Sequence, residues 1–226
     1  MITQQNILGL DDSHLVDCQQ GHKLQVVVAQ AFSRMQQAAK ADGVDCQIAS
    51  SYRSFTQQQV IWRKKWFGEK TLLDINEQIL PFNTLSEEQK LEAILTWSAL
   101  PGASRHHWGT DLDVYDQQSI VRSGQTLQLI QQEYLDPKGP CFKLNQWLDQ
   151  HAKQFGFSRP YATYLGGVAA EPWHLSYEAI SSLVSTEFDI GALKNALTQA
   201  QLPGLELVFL RLEDIYQRFI LNKGQV

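Results

Sequence analysis

The stretch SRHHWGTDLD, Ser104 to Asp113, constrains this chain more than any other, because it packs two histidines, a glycine and two aspartates into ten residues. The run GTDLDVYD alternates polar and apolar residues with the period of a strand. Leu112 and Val114 then face a core, while Asp111 and Asp113 share the opposite face. Gly109 permits a tight entry from the histidine-bearing loop into that strand. A fold built around this segment must therefore place histidines beside a carboxylate-bearing sheet face. The residues leave two readings open: a metal site, or a polar loop whose histidine is satisfied locally.

A catalytic zinc site takes three protein ligands, usually His with Asp or Glu, and keeps one position open. His106 and Asp113 supply two of them. Among His14, His22, His107, His151 and His174, the last stands out, because it closes the tetrapeptide EPWH. Glu171 in that tetrapeptide is the type of group that takes a proton from an activated water. Regular strand geometry would send positions 171 and 174 to opposite faces, and Pro172 marks the segment as bent or as lying at a sheet edge. His107 directly follows His106, and a ligand register shifted by one is the alternative. No HExxH motif occurs.

The rest of the chain reads as a mixed helix-and-strand core. Leu24, Val27, Val28, Ala31, Phe32 and Met35 recur at helical spacing, with a stop near Gly43. VDCQIAS then alternates like a half-buried strand, which makes Cys46 a core residue. Ser54 with Gln57, and Ser86 with Gln89, are capping-box signatures that open two helices. Residues 68–85 read as a surface loop, and TLQLI, residues 126–130, as one more strand. Leu144, Trp147, Leu148, His151 and Phe155 mark another helix. After residue 185 the character changes: Leu205, Val208, Phe209, Leu212, Ile215, Tyr216, Phe219 and Ile220 form one long apolar helical stripe. The expected organisation is an N-terminal segment (1–19), a core (20–185) and a C-terminal helical appendage (186–226) that covers a sheet face or pairs with a second copy.

Bulk properties exclude several classes. The formal net charge of -5 and the absence of a basic block argue against a nucleic-acid partner. Three cysteines without a CxxC pair do not make a disulfide framework or a cysteine-zinc site. No basic start followed by an apolar run opens the chain, and no stretch is long enough to cross a bilayer. The sequence on its face therefore reads as cytoplasmic.

Three separated pieces together resemble the VanY-type D-alanyl-D-alanine carboxypeptidases. SSYRSFTQQ resembles their S-G-Y-R-S-x-x-x-Q motif, SRHHWGTDLD their S-x-H-x-x-G-x-A-x-D motif, and EPWH their E-x-W-H motif, in that order along residues 20 to 180. The resemblance implies an α+β fold of the hedgehog/D-Ala-D-Ala peptidase type, a small antiparallel sheet with packed helices. It implies one zinc ion held by His106, Asp113 and His174, with Glu171 as general base and Arg53 at the substrate near the scissile bond. Tyr52, Gln58, Ser104 and Trp173 are the further candidate substrate contacts; Trp173 and Trp108, placed beside the site residues, either wall the pocket or belong to the core. The implied substrate is a peptidoglycan stem peptide or muropeptide losing its terminal D-alanine, which places the work at the cell envelope or periplasm, or on cytosolic precursors. L,D-carboxypeptidase, D-Ala-D-Ala dipeptidase or endopeptidase activity, and a non-catalytic zinc module of the same fold, are the alternatives. Ser51 and Asp111 depart from the motif, standing where it carries glycine and alanine. Asp111 either orients a ligand or adds a charge that alters the site.

Overall fold

The computed structural model describes residues 2–224. Its centre is a four-stranded antiparallel sheet made of β1 (Cys46–Ser50), β2 (Asp111–Asp116), β3 (Phe157–Ser158) and β4 (His174–Tyr177), in the spatial order β1-β2-β4-β3. Period-two alternation gives the sheet two unlike faces. Cys46, Ile48, Leu112, Val114, Leu175 and Phe157 belong to one apolar cluster. Over them pack α1 (Val26–Ala41), through Val28, Ala31, Phe32 and Met35, and α4 (Phe142–His151), through Leu144, Trp147 and Leu148. The opposite face carries Asp111, Asp113, His174 and Ser176, all buried.

The two capping boxes form as the sequence implies. Ser54 opens α2 (Phe55–Trp66) and Ser86 opens α3 (Glu87–Trp97), each with reciprocal bonds to the glutamine three residues on. These helices sit in a second apolar cluster with Trp62, Trp66, Leu91 and Ile94. The N-terminal segment joins it through Ile7 and Leu8, and the Phe55 amide donates to the Gly9 carbonyl at 2.8 Å.

Two expectations are corrected. Residues 126–130 form no strand: the Glu133 carboxylate accepts the amides of Gln128 and Ile130, and Leu129 between them takes φ +55°, so this backbone is satisfied by a side chain rather than a ladder. The C-terminal stripe is not one helix but Leu205–Leu210 and Leu212–Ile215, broken at Arg211, followed by a wider turn over Tyr216–Ile220.

The apolar side chains of that stripe cover helices rather than the sheet. Helix α5 (Glu178–Thr186) follows β4 directly, and α6 (Ile190–Gln199) delivers Leu193, Ala196 and Leu197 into the cluster with Trp62 and Leu91. Bonds to backbone carbonyls fix the seam: Gln59 Nε2 donates to Ala200, and Trp62 Nε1 to Pro203. A Cβ at Gly167 would lie 2.0 Å from the Arg218 carbonyl oxygen, so backbone meets backbone there. Among the described residues no helix is long and apolar enough to cross a membrane.

Because the C-terminal helices share a core with α2 and α3, Leu193→Ala should lower the whole protein's unfolding free energy by about 2–5 kcal/mol in one cooperative transition. Denaturant melts followed by both tryptophan fluorescence and far-UV dichroism check this. Two separate transitions would show that the segment folds apart from the core.

Candidate active site

Strand register builds the site. Asp113 pairs with His174 and Asp111 with Ser176 across β2 and β4, while Leu112 pairs with Leu175 on the apolar side. Directly opposed residues share a face and lie within contact distance. On the other flank a β-bulge between Ile48 and Ser50 brings Ser50 opposite Asp113. The bulge turns the end of β1 toward the polar face and aims the following Arg53 into the site.

His106 arrives on a short 3₁₀ turn, Arg105–Trp108, that ends at Gly109 with φ +67°. A Cβ there would come within 2.2 Å of Leu15, so both the angle and the close approach require glycine. His106 Nδ1 lies 2.8 Å from the Ser51 carbonyl, where it donates, and this leaves the Nε2 lone pair facing Asp113 at 3.4 Å. His174 Nδ1 lies 3.1 Å from Asp113 and its Nε2 lies 3.0 Å from Asp111. One donor atom each from His106, Asp113 and His174 falls within 4.8 Å of the others, and all three residues are buried. Two imidazole nitrogens and one carboxylate oxygen in such a cluster fit the donor set of an open zinc site.

His107 is committed elsewhere. Its Nδ1 donates to the Arg53 carbonyl and its Nε2 accepts the Gly102 amide at 3.0 Å. Both nitrogens are thus occupied by backbone, which removes it as a ligand. Trp108 lies in the helix-side core rather than along the cavity.

Glu171 shares the site because Pro172 and Trp173 form a turn rather than extended chain. The His174 amide donates to the Glu171 carbonyl at 3.1 Å, and the Glu171 carboxylate comes within 3.6 Å of His174 Nδ1. Both side chains open on one cavity of about 300 Å³, also lined by Arg53, Ser104, Tyr161 and Trp173. Burial pushes Glu171 up to about 7, Asp113 adding to the effect while His174, Arg53 and Lys65 oppose it. Burial lowers His106 to about 4, against Asp113. For His174 burial again works against the charge, but bonds to Asp111 and Asp113 overcome it and raise the group to about 10.

The remaining implied contacts divide. Arg53 bonds Gln58 Oε1 at 2.8 Å and Ser50 Oγ at 3.3 Å. Gln58 is fully buried, and its amide nitrogen reaches Ser98 and the Ala99 carbonyl, so it anchors Arg53 and does not face the cavity. Tyr52 lies outside the cavity, its hydroxyl 3.4 Å from the Gly9 carbonyl. Tyr52 and Gln58 thus do not line this cavity. The sequence reading missed Arg105, Tyr161 and Phe219. Arg105 was legible in principle, since a buried Asp111 needs a counter-charge. Tyr161, whose ring centre lies 4.8 Å from that of His174, and Phe219, which brings the C-terminal segment to the cavity wall, have no local signature.

The fold and these side chains define a buried His–Asp–His metallopeptidase centre, and comparison with known proteins gives the family. The profile of the VanY family, described as D-alanyl-D-alanine carboxypeptidase, matches residues 21–180, and the chain belongs to that family. VanYB in complex with D-alanine-D-alanine is 26% identical with a TM-score of 0.53, covering 82% of this chain and 90% of that one. A VanY D,D-pentapeptidase mutant from a VanB-type resistance cassette, in complex with Zn(II), is 25% identical with a TM-score of 0.52, covering 78% and 86%. An uncharacterized Haemophilus influenzae protein is 34% identical over 127 residues, which is 55% of this chain and 95% of its own length.

Burial holds the folded His107 at about 3, far below the value of about 6.5 in an unfolded chain. The unfolded chain takes up this proton first, so His107 costs stability as pH falls from about 6.5 toward 3. The drop in melting temperature between pH 7 and pH 5 should be shallower in His107→Gln than in the wild type; an identical drop would contradict the assignment.

Proposed function

We propose that the protein is a zinc-dependent D,D-carboxypeptidase that removes the terminal D-alanine from peptidoglycan stem pentapeptides. The observation that carries this reading is the convergence of His106, Asp113, His174, Glu171 and Arg53 on one cavity. His106 Nε2, an Asp113 carboxylate oxygen and His174 Nδ1 would hold the ion. Zinc, when bound, supplies the Lewis acidity that polarises a carbonyl and makes water a better acid.

The protein's own side chains do the rest. Glu171, buried beside the ligand group and open on the same cavity, is placed to take a proton from water and return it to the leaving amine. Arg53, with its guanidinium tethered by Gln58 and Ser50, offers its remaining N–H groups to the substrate's terminal carboxylate. Ser104 and the edge of Trp173 line the same space and would bound the substrate's terminal residue. That VanYB was captured with D-alanine-D-alanine supports D,D over L,D specificity. Muropeptides are the substrate class, and the cell envelope is the corresponding place of action.

Zinc-loaded protein incubated with muropeptide penta-, tetra- and tripeptides should shorten the pentapeptide by a single alanine, as read by mass. Cleavage of the tetrapeptide alone would replace this reading with the L,D one, and release of a dialanine unit with the dipeptidase one. Glu171→Gln should keep its zinc and lose about 10²–10⁴-fold in kcat; undiminished turnover would remove Glu171 from the role of base. Arg53→Ala should raise KM for pentapeptide about tenfold or more, since a hydrogen bond to a charged group contributes about 1.5–3 kcal/mol. The difference from wild type should vanish with a C-terminally amidated pentapeptide, and persistence there would place Arg53 away from the carboxylate.

A further inference from the structure

Asp111 is completely buried, and the role of metal ligand does not use it. A buried carboxylate is costly unless its oxygens are fully bonded. Here they are. Oδ1 accepts Arg105 Nε at 2.7 Å and faces His174 Nε2 at 3.0 Å. Oδ2 accepts Ser176 Oγ at 3.1 Å and the Thr110 hydroxyl. Arg105 closes the ring by donating from Nη2 to Ser176 Oγ at 2.7 Å, and its guanidinium lies 4.7 Å from the Trp108 ring centre. Arg105 and Ser176 each bond Asp111 and one another, so Asp111 has little freedom to turn away from His174.

The two ring nitrogens of His174 face different partners. Nδ1 points to Asp113 and Glu171, at 3.1 and 3.6 Å, and Nε2, among the described residues, points to Asp111 at 3.0 Å. A histidine that ligates through one nitrogen is commonly oriented by a carboxylate on the other. Asp111 can accept a proton-bearing nitrogen and cannot donate to a bare one. When a metal replaces the proton between Nδ1 and Asp113, Asp111 holds the remaining proton on Nε2 and leaves the Nδ1 lone pair to the ion. The pairing with Arg105 matters equally, because the guanidinium offsets the carboxylate's charge. The arrangement orients the imidazole without adding net negative charge behind it.

We propose that Asp111, with Arg105 as its counter-ion, is a positioning residue that locks His174 for ligation through Nδ1 and so sets the protein's affinity for zinc. The proposal rests on the metal reading given above. In the zinc-loaded wild type, long-range ¹H–¹⁵N spectra of the histidine rings should show His174 carrying its proton on Nε2; a proton on Nδ1 would overturn the proposal. Asp111→Asn should weaken zinc binding about 10–100-fold in competition with a chromogenic chelator. It should also alter the visible absorption of the cobalt(II)-substituted protein. The double variant Arg105→Ala with Asp111→Ala removes both charges, so no buried ion is left unpaired, and its affinity should fall by a similar factor even though its fold is kept. Zinc affinity within twofold of wild type, with an unchanged cobalt spectrum, in either folded variant would overturn the inference. Wild-type protein that takes up no zinc would instead overturn the metal reading itself, and zinc uptake without peptide hydrolysis would overturn only the proposed activity.

Discussion

The pairing of Asp113 with His174 across β2 and β4 is the contact on which the rest of the site depends. Side chains alternate along a strand, so a slip of one residue would carry the histidine to the face packed by α1 and α4. The apolar pair Leu112–Leu175 prevents that slip, because it would be thrust toward the charged face at the same time. The core therefore fixes the register and the register fixes the site. Two local devices refine it: the bulge in β1 that turns the chain toward the cavity, and the left-handed Gly109 that ends the ligand turn.

Around this sheet the molecule divides its labour. The cluster under α1 and α4 holds the strands flat against one side. The cluster of α2, α3 and the C-terminal helices flanks the site and supplies Leu95 and Phe219 to the cavity, while Trp97 reaches the same cavity from the sheet-side cluster. The polar groups between these two cores are excluded from bulk water, which strengthens every charge interaction among them. It also makes each of them expensive to leave unpartnered. That is why Gln58, His107 and Ser176, none of them a metal-ligand candidate, have their hydrogen bonds so completely accounted for.

Much of this was legible in the sequence, and for identifiable reasons. Alternation in GTDLDVYD, the capping boxes at Ser54 and Ser86, and the helical spacing of Val28 to Met35 are local patterns with local causes. The three motifs lie far apart in the chain, and their joint occurrence carried the fold and the ligand candidates. What escaped was non-local or backbone-driven. The false strand at 126–130 has strand-like residues, but the buried Glu133 captures its amides. Gln58 and Tyr52 match motif positions, yet only the packing shows which way each points. The broken C-terminal stripe keeps its apolar spacing through the interruption at Arg211, so periodicity alone could not reveal the break.

The contribution of Phe219 to the cavity wall has a bearing on biosynthesis. Every metal-ligand candidate leaves the ribosome before that phenylalanine does. The C-terminal helices share one core with α2 and α3, so the cleft has its full wall only once this segment is in place. Completion of the cleft is thereby coupled to docking of those helices.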